Sequence, residues 1–109
     1  MAGEQEFLFA YGTLLENRVQ QAVFGRLIEG EPDILPGYEK QDGMVLGTYP
    51  GLFRAPGTKG RVAGRRLPLT AGEFRQADAY EGALYRRAYL ELASGHRAWV
   101  YLPVANTAL

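Results

Sequence analysis

Glycine and proline interrupt this chain so often that no long element can form. Fourteen glycines and six prolines are spread over 109 residues. The punctuation falls at Pro36-Gly37, Asp42-Gly43, Tyr49-Pro50-Gly51 and across Pro56–Gly60. Both residue types favour turns over element interiors, glycine for its freedom and proline for its missing N–H. Residues 32–69 therefore read as short strands joined by turns. Upstream, residues 6–11 are nearly all apolar and read as a first strand, central because both of its faces need cover. From Asn17, as N-cap, Val19, Val23 and Leu27 recur at spacing four and predict a helix that Gly25 weakens at its end. Thr70-Ala71-Gly72-Glu73 has the form of a capping box and predicts a second helix to about Tyr80, with Gly82 at its C-terminal cap. Residues 85–93 and 96–102 then predict a hairpin around a two-residue Ser94-Gly95 turn.

Many short strands with two short helices indicate an α+β domain, one unit over residues 1–109. Closure would remove exposed strand edges, so the expected architecture is a small, closed or nearly closed, mostly antiparallel β-barrel flanked by short helices. At 47% hydrophobic residues the chain can bury a core without staples. It has no cysteine and one histidine, His96, which excludes disulfides, thiolate chemistry and a multi-histidine metal site. Twelve basic residues balance twelve acidic ones, so nucleic acid and anionic membranes are not expected partners. No apolar run is long enough to span a bilayer, and the acidic start does not read as a signal peptide. A cytoplasmic protein is the expectation.

The turn Tyr11-Gly12-Thr13-Leu14, between strand and helix, has two readings. It is either a plain chain reversal or a set of backbone N–H groups that face a negative ligand group. Asp78 and Glu81 lie three apart at the end of the second helix. Like charge and the negative end of the helix dipole should raise the pKa of one of them, and such a carboxyl can exchange protons near neutrality. The alternative is a solvated helix end with Arg86 and Arg87 as counter-ions. Tyr80 and Tyr85 flank Glu81 and would strengthen the shift by desolvation. Ser94 and His96 do not read as a nucleophile–base pair, since both belong to a tight turn and no acidic orienter is placed nearby. Residues 56–61 lack the spacing of a phosphate loop. Arg61, Arg65, Arg66, Arg86, Arg87 and Arg97 read as ordinary surface charge.

In order along the chain, the strand into "YGTL" (11–14), "FGR" (24–26), "LPGY" (35–38), "YPGL" (49–52), "RVAGRRL" (61–67), "DAYEGALYRR" (78–87) and "AWVYL" (98–102) together resemble the gamma-glutamylcyclotransferase-like family, in its small AIG2-like branch. The continuation Leu15-Glu16-Asn17 departs from the basic, glycine-containing loop of many members. The resemblance implies that the turn Tyr11, Gly12, Thr13 and Leu14 holds the α-amino acid end of a γ-glutamyl group. It implies that Glu81 is the catalytic acid/base. Tyr85 and Tyr101 read as cavity-lining residues or, equally, as ordinary barrel packing. The implied reaction releases 5-oxoproline from a γ-glutamyl amide and uses no cofactor and no metal. The competing function is a barrel of the same fold that binds a small molecule or a protein without turnover.

Overall fold

A computed structural model of the chain describes residues 5–45, 49–55 and 60–104. Five strands form one sheet in the order β2-β5-β1-β7-β6. They are β1 (Glu6–Ala10), β2 (Glu31–Pro36), β5 (Arg61–Leu69), β6 (Tyr85–Glu91) and β7 (Arg97–Pro103). β3 (Tyr38–Val45) and β4 (Tyr49–Arg54) pair separately as an antiparallel ribbon. All pairings are antiparallel except β1 with β7, which run parallel with Leu8 opposite Trp99.

β1 is central, as its unbroken apolar run requires. Leu8 and Ala10 pack into one core with Phe24, Ile28, Leu67, Leu69, Phe74 and Ala77 under the two α-helices. Phe9 points the other way, into a core with Leu35, Leu52, Val62, Val100 and Leu102 that the β3–β4 ribbon covers. A strand with both faces covered reads as a near-continuous apolar run, here Phe7 to Ala10.

The α+β class and the two short helices are as expected, but the sheet is not closed. β2 and β6 are the outer strands of an open sheet among the described residues. Closure would need those two strands to pair along their length, and only the loop after β6 reaches across. There the Ala93 N–H donates to the Ile34 carbonyl at 2.8 Å, and the Ser94 hydroxyl donates to Asp33 at 2.6 Å. That loop also differs from the two-residue turn expected. It runs from Leu92 to His96, closed by the Leu92 N–H to the His96 carbonyl, and Leu92 is buried in the second core.

Helix α1 covers Asn17–Phe24, and its N-cap is Glu16 rather than Asn17. No side chain caps it, so the start is set by the preceding 3-10 turn, Thr13–Leu15, and not by an asparagine oxygen. The helix stops at Gly25, whose φ of 72° closes the last turn, and Leu27 lies beyond it, exposed. The buried stripe is Gln20 and Phe24, with Val19 and Val23 packed beside it. Helix α2, Ala71–Glu81, carries the capping box as read: Thr70 accepts from the Glu73 N–H and Glu73 accepts from the Thr70 N–H. Arg26 ties the helices together through a two-pronged contact with Glu73 at 2.6 and 2.9 Å.

Of the turn signals, Pro36-Gly37 does separate β2 from β3, with Gly37 at φ 84°. Asp42-Gly43 and Tyr49-Pro50-Gly51 instead lie inside β3 and β4, the former at a register shift between Gln41 and Val45. A bulge absorbs the same residue types as a turn, so the pattern alone does not separate them. Residues 56–59 lie outside the described residues.

Candidate active site

Where β1 ends, the chain turns out of the sheet. It passes through Gly12 into a 3-10 turn, closed by the Leu15 N–H to the Gly12 carbonyl at 3.0 Å. Buried Gln20 pins this turn from behind, donating to the Leu14 carbonyl at 2.9 Å and accepting from the Ile28 N–H at 2.8 Å. In front of the turn lies a cavity of about 410 Å³. Its floor is the end of β1, Leu8 to Ala10, and one wall is Tyr11, Gly12, Thr13 and Leu14. Tyr80, Glu81, Leu84, Tyr85 and Tyr101 of β7 also line it. The turn and the end of α2, some seventy residues apart in sequence, thus share this cavity.

A Cβ at Gly12 would meet no atom within 4 Å. The space left by the missing side chain is open, on the wall of the cavity. Gly82 is different. With φ of 75° it lets the chain leave α2 and enter the 3-10 turn Gly82–Leu84, and this carries Leu84 and Tyr85 back to the cavity.

The two carboxylates at the end of α2 divide as the sequence suggests. Asp78 accepts two hydrogen bonds from Arg87, at 2.7 and 3.0 Å, and one from the Tyr101 hydroxyl at 2.7 Å. Arg87, and then Tyr101, hold its pKa below the ordinary carboxylate value against the opposing effect of burial. Glu81 has its pKa pushed up to about 7, and burial is the cause. Of the causes expected, it is desolvation, to which the flanking tyrosines were expected to add, and not like charge from Asp78, that raises it. Arg87 neutralises Asp78 and removes the repulsion, while the apolar walls around Glu81 disfavour its charged form. The Tyr11 and Tyr101 hydroxyls are both shifted upward, chiefly by burial. Tyr11 donates to the Tyr101 carbonyl at 2.6 Å, so its hydroxyl proton is committed and its oxygen remains an acceptor. At the mouth, the Thr13 and Tyr80 hydroxyls lie 2.6 Å apart.

Residues 8–108 match the family model described as Gamma-glutamyl cyclotransferase, AIG2-like. The chain belongs to that family. No curated protein sequence matches it significantly. Among solved structures, a protein of Arabidopsis thaliana determined in solution is 22% identical, with a TM-score of 0.81 over 97% of this chain and 67% of its own. A human protein described as uncharacterized is 19% identical, with a TM-score of 0.74 over 93% of this chain and 68% of its own. A structure titled gamma-glutamyl cyclotransferase is also 19% identical, with a TM-score of 0.71 over 93% and 68%. At these identities the structures establish the AIG2-like α+β fold.

All the residues singled out from the motifs of this family line the same cavity: Glu81, Tyr85 and Tyr101 together with the Tyr11–Leu14 turn. Leu84 also lines it and was missed, because an apolar residue in a short loop carries no signal of its own. Gln20 was missed as the support of the turn. Its place four residues before buried Phe24, on the same helix face, is the one cue available. The serine–histidine reading stays excluded, although an acid does stand nearby. Asp33 accepts from the Ser94 hydroxyl, and His96 Nδ1 lies 3.0 Å from that same hydroxyl. The order is carboxylate–hydroxyl–imidazole, whereas nucleophile activation needs the imidazole in the middle. Among the described residues no three potential metal ligands converge, and no helix is long and apolar enough to cross a membrane.

Proposed function

We propose that this protein is a γ-glutamyl cyclotransferase that converts a γ-glutamyl amide to 5-oxoproline and a free amine or amino acid, with Glu81 as acid/base. One observation carries the reading: a carboxyl with its pKa at about 7 shares a cavity with the Tyr11–Leu14 turn. Family membership supports the reaction class.

In this reaction the substrate's own α-nitrogen attacks its γ-carbonyl carbon. A new C–N bond closes the five-membered ring, and the original amide C–N bond breaks. The α-ammonium starts with three protons and the lactam keeps one. The two it loses equal the two that the leaving nitrogen gains in becoming an ammonium. A single carboxyl that is half ionised near pH 7 can take each proton and return it, which is worth about 10²–10⁴-fold in rate. Holding the chain bent so that nitrogen and carbonyl meet supplies a further large part. The turn suits the α-carboxylate, because the first N–H groups of a 3-10 turn have no partner within it. The open space at Gly12 permits close approach.

The test is release of 5-oxoproline, followed by mass spectrometry, from a panel of γ-glutamyl amines and γ-glutamyl amino acids. Glu81→Gln is expected to lower kcat by about 10²–10⁴-fold with the circular dichroism spectrum unchanged. Loss of the fold would make Glu81 structural, and full turnover would remove it from the mechanism. Gly12→Val is expected to keep the fold and lower kcat/KM by about ten- to a hundredfold by displacing the substrate. Unchanged kinetics in that variant would mean that the turn is not the binding wall. If no amide is turned over by folded protein, the binding-only reading replaces the enzyme.

A further inference from the structure

Gln20 is 3% exposed, and both ends of its side-chain amide are engaged. The Leu14 carbonyl can only accept and the Ile28 N–H can only donate, so Nε2 must meet Leu14 and Oε1 must meet Ile28. The peptide group that presents the Leu14 carbonyl to Gln20 also presents the Leu15 N–H to the Gly12 carbonyl, at 3.0 Å. In a trans peptide the C=O and N–H point in opposite directions. Holding the Gly12 carbonyl therefore turns the Thr13 N–H away from the inside of the turn. Four amide groups stand head to tail: the Leu27–Ile28 peptide, the Gln20 side chain, the Leu14–Leu15 peptide and the Gly12–Thr13 peptide. Each polarises the next, as along one hydrogen-bond column of an α-helix, but here the column is assembled from separate segments of chain. Its donor end is the Thr13 N–H, which the 3-10 turn does not use, and Thr13 lines the cavity.

Resting on the reading that places the substrate's α-carboxylate at the Tyr11–Leu14 turn, we infer that Gln20 is a positioning residue for substrate binding. It aims the Thr13 N–H at that carboxylate through two peptide groups and touches no part of the substrate itself. Without the Gln20 amide the Leu14 carbonyl loses its anchor. The Leu14–Leu15 peptide can then rotate, and the Thr13 N–H loses both its fixed direction and the polarisation of the groups behind it. A donor held in place before the ligand arrives costs no ordering when the ligand binds, so the loss appears as affinity. The bonds that change lie at the γ-carbon, and the α-carboxylate is held alike before and during the reaction. Gln20 should therefore act on KM and leave kcat nearly untouched.

The experiment compares γ-glutamyl-ethylamide with 4-amino-N-ethylbutanamide, the same molecule without its α-carboxylate. Affinities are measured by calorimetry on the Glu81→Gln protein, so that neither compound is consumed. Adding Gln20→Leu is expected to weaken the first compound about tenfold and the second by less than about twofold. With Glu81 in place, Gln20→Leu should raise KM for γ-glutamyl-ethylamide about tenfold and change kcat by less than about twofold. Equal losses for the two compounds would make Gln20 a general support of the fold and overturn the inference, as would no loss for either. Thr13→Pro reads the other end of the column, and it does so whether or not Gln20→Leu folds. Proline is tolerated at the first position of a helical turn and removes the N–H on which the column ends, leaving Gln20 and its contacts in place. It is expected to cost γ-glutamyl-ethylamide about tenfold more than the analogue, and Gln20→Leu should add nothing to it. Equal costs, or additive losses in the double variant, overturn the inference. Turnover by the unmodified protein reports on the cyclotransferase reading separately. Carboxylate-selective losses without turnover keep the role of Gln20 at a binding site, and unselective losses with turnover keep the enzyme and remove that role. Failure of the folded Glu81→Gln protein to bind either compound removes both.

Discussion

Glu81 and Asp33 are carboxylates at opposite ends of the β6–β7 hairpin, and the environment drives their pKa values in opposite directions. Asp33 is buried, at 8% exposed. Burial alone would push its carboxyl up, but the Ser94 hydroxyl, the Ile34 N–H, the Arg66 guanidinium and the Ser94 N–H together hold it below its ordinary value. At Glu81 burial is the sole cause, and the pKa rises to about 7. What separates them is partners. A carboxylate that accepts several hydrogen bonds becomes a strut, here joining β2 to the loop after β6. One left in an apolar wall keeps a proton near neutrality and is available for chemistry. Asp78, one helical turn before Glu81, makes the same point within a single helix, since Arg87 and Tyr101 hold it ionised.

The sharpest way to break this contrast is Asp33→Ala. It leaves Arg66, with only 12% of its side chain exposed, facing no carboxylate. The expected cost is about 3 kcal/mol of unfolding free energy in urea, because an unpaired charge would remain largely buried. A loss below about 1 kcal/mol would show the clasp to be dispensable. The pH dependence of stability should then separate the two groups by sign. Glu81 has a folded pKa above its unfolded one, so its contribution is fully present below about pH 4.5 and is lost as pH rises to about 7. Allowing for its residual exposure, the loss amounts to about 2 kcal/mol. Glu81→Gln should abolish that slope and be the more stable protein at pH 8. Asp33, with a lowered pKa, loses its contribution only as pH falls below the ordinary aspartate range, about 4. Parallel wild-type and Glu81→Gln profiles would contradict the assignment. Asp78→Ala carries the smallest expected effect, about 0.5–1 kcal/mol, since its side chain is 43% exposed. Chemical denaturation at neutral pH measures it.

Local signals were legible where the interaction lies within a few residues. The capping box at Thr70 and Glu73, the helix end at Gly82 and the centrality of β1 could all be read because each depends on adjacent side chains or on an unbroken apolar run. The cap of α1 could not, because a 3-10 turn held from behind by Gln20 sets its start. Sheet closure and turn placement failed for a related reason. Edge pairing is a contact between distant segments, and Asp42-Gly43 suits a bulge as well as a turn.

For the site, the sequence by itself determined which residue types are present: a Gly-Thr turn after a central strand, two carboxylates three apart, and neither cysteine nor paired histidines. Residue pattern did not decide which carboxylate is the unusual one; only the family resemblance pointed to Glu81. That choice depends on Arg87 reaching Asp78 across nine positions, and on Tyr11 and Tyr85 arriving at the cavity of Glu81 from the turn after β1 and from β6. Composition sets the available chemistry. Desolvation and charge pairing, which act through space, set the protonation state, and only the folded chain specifies those distances.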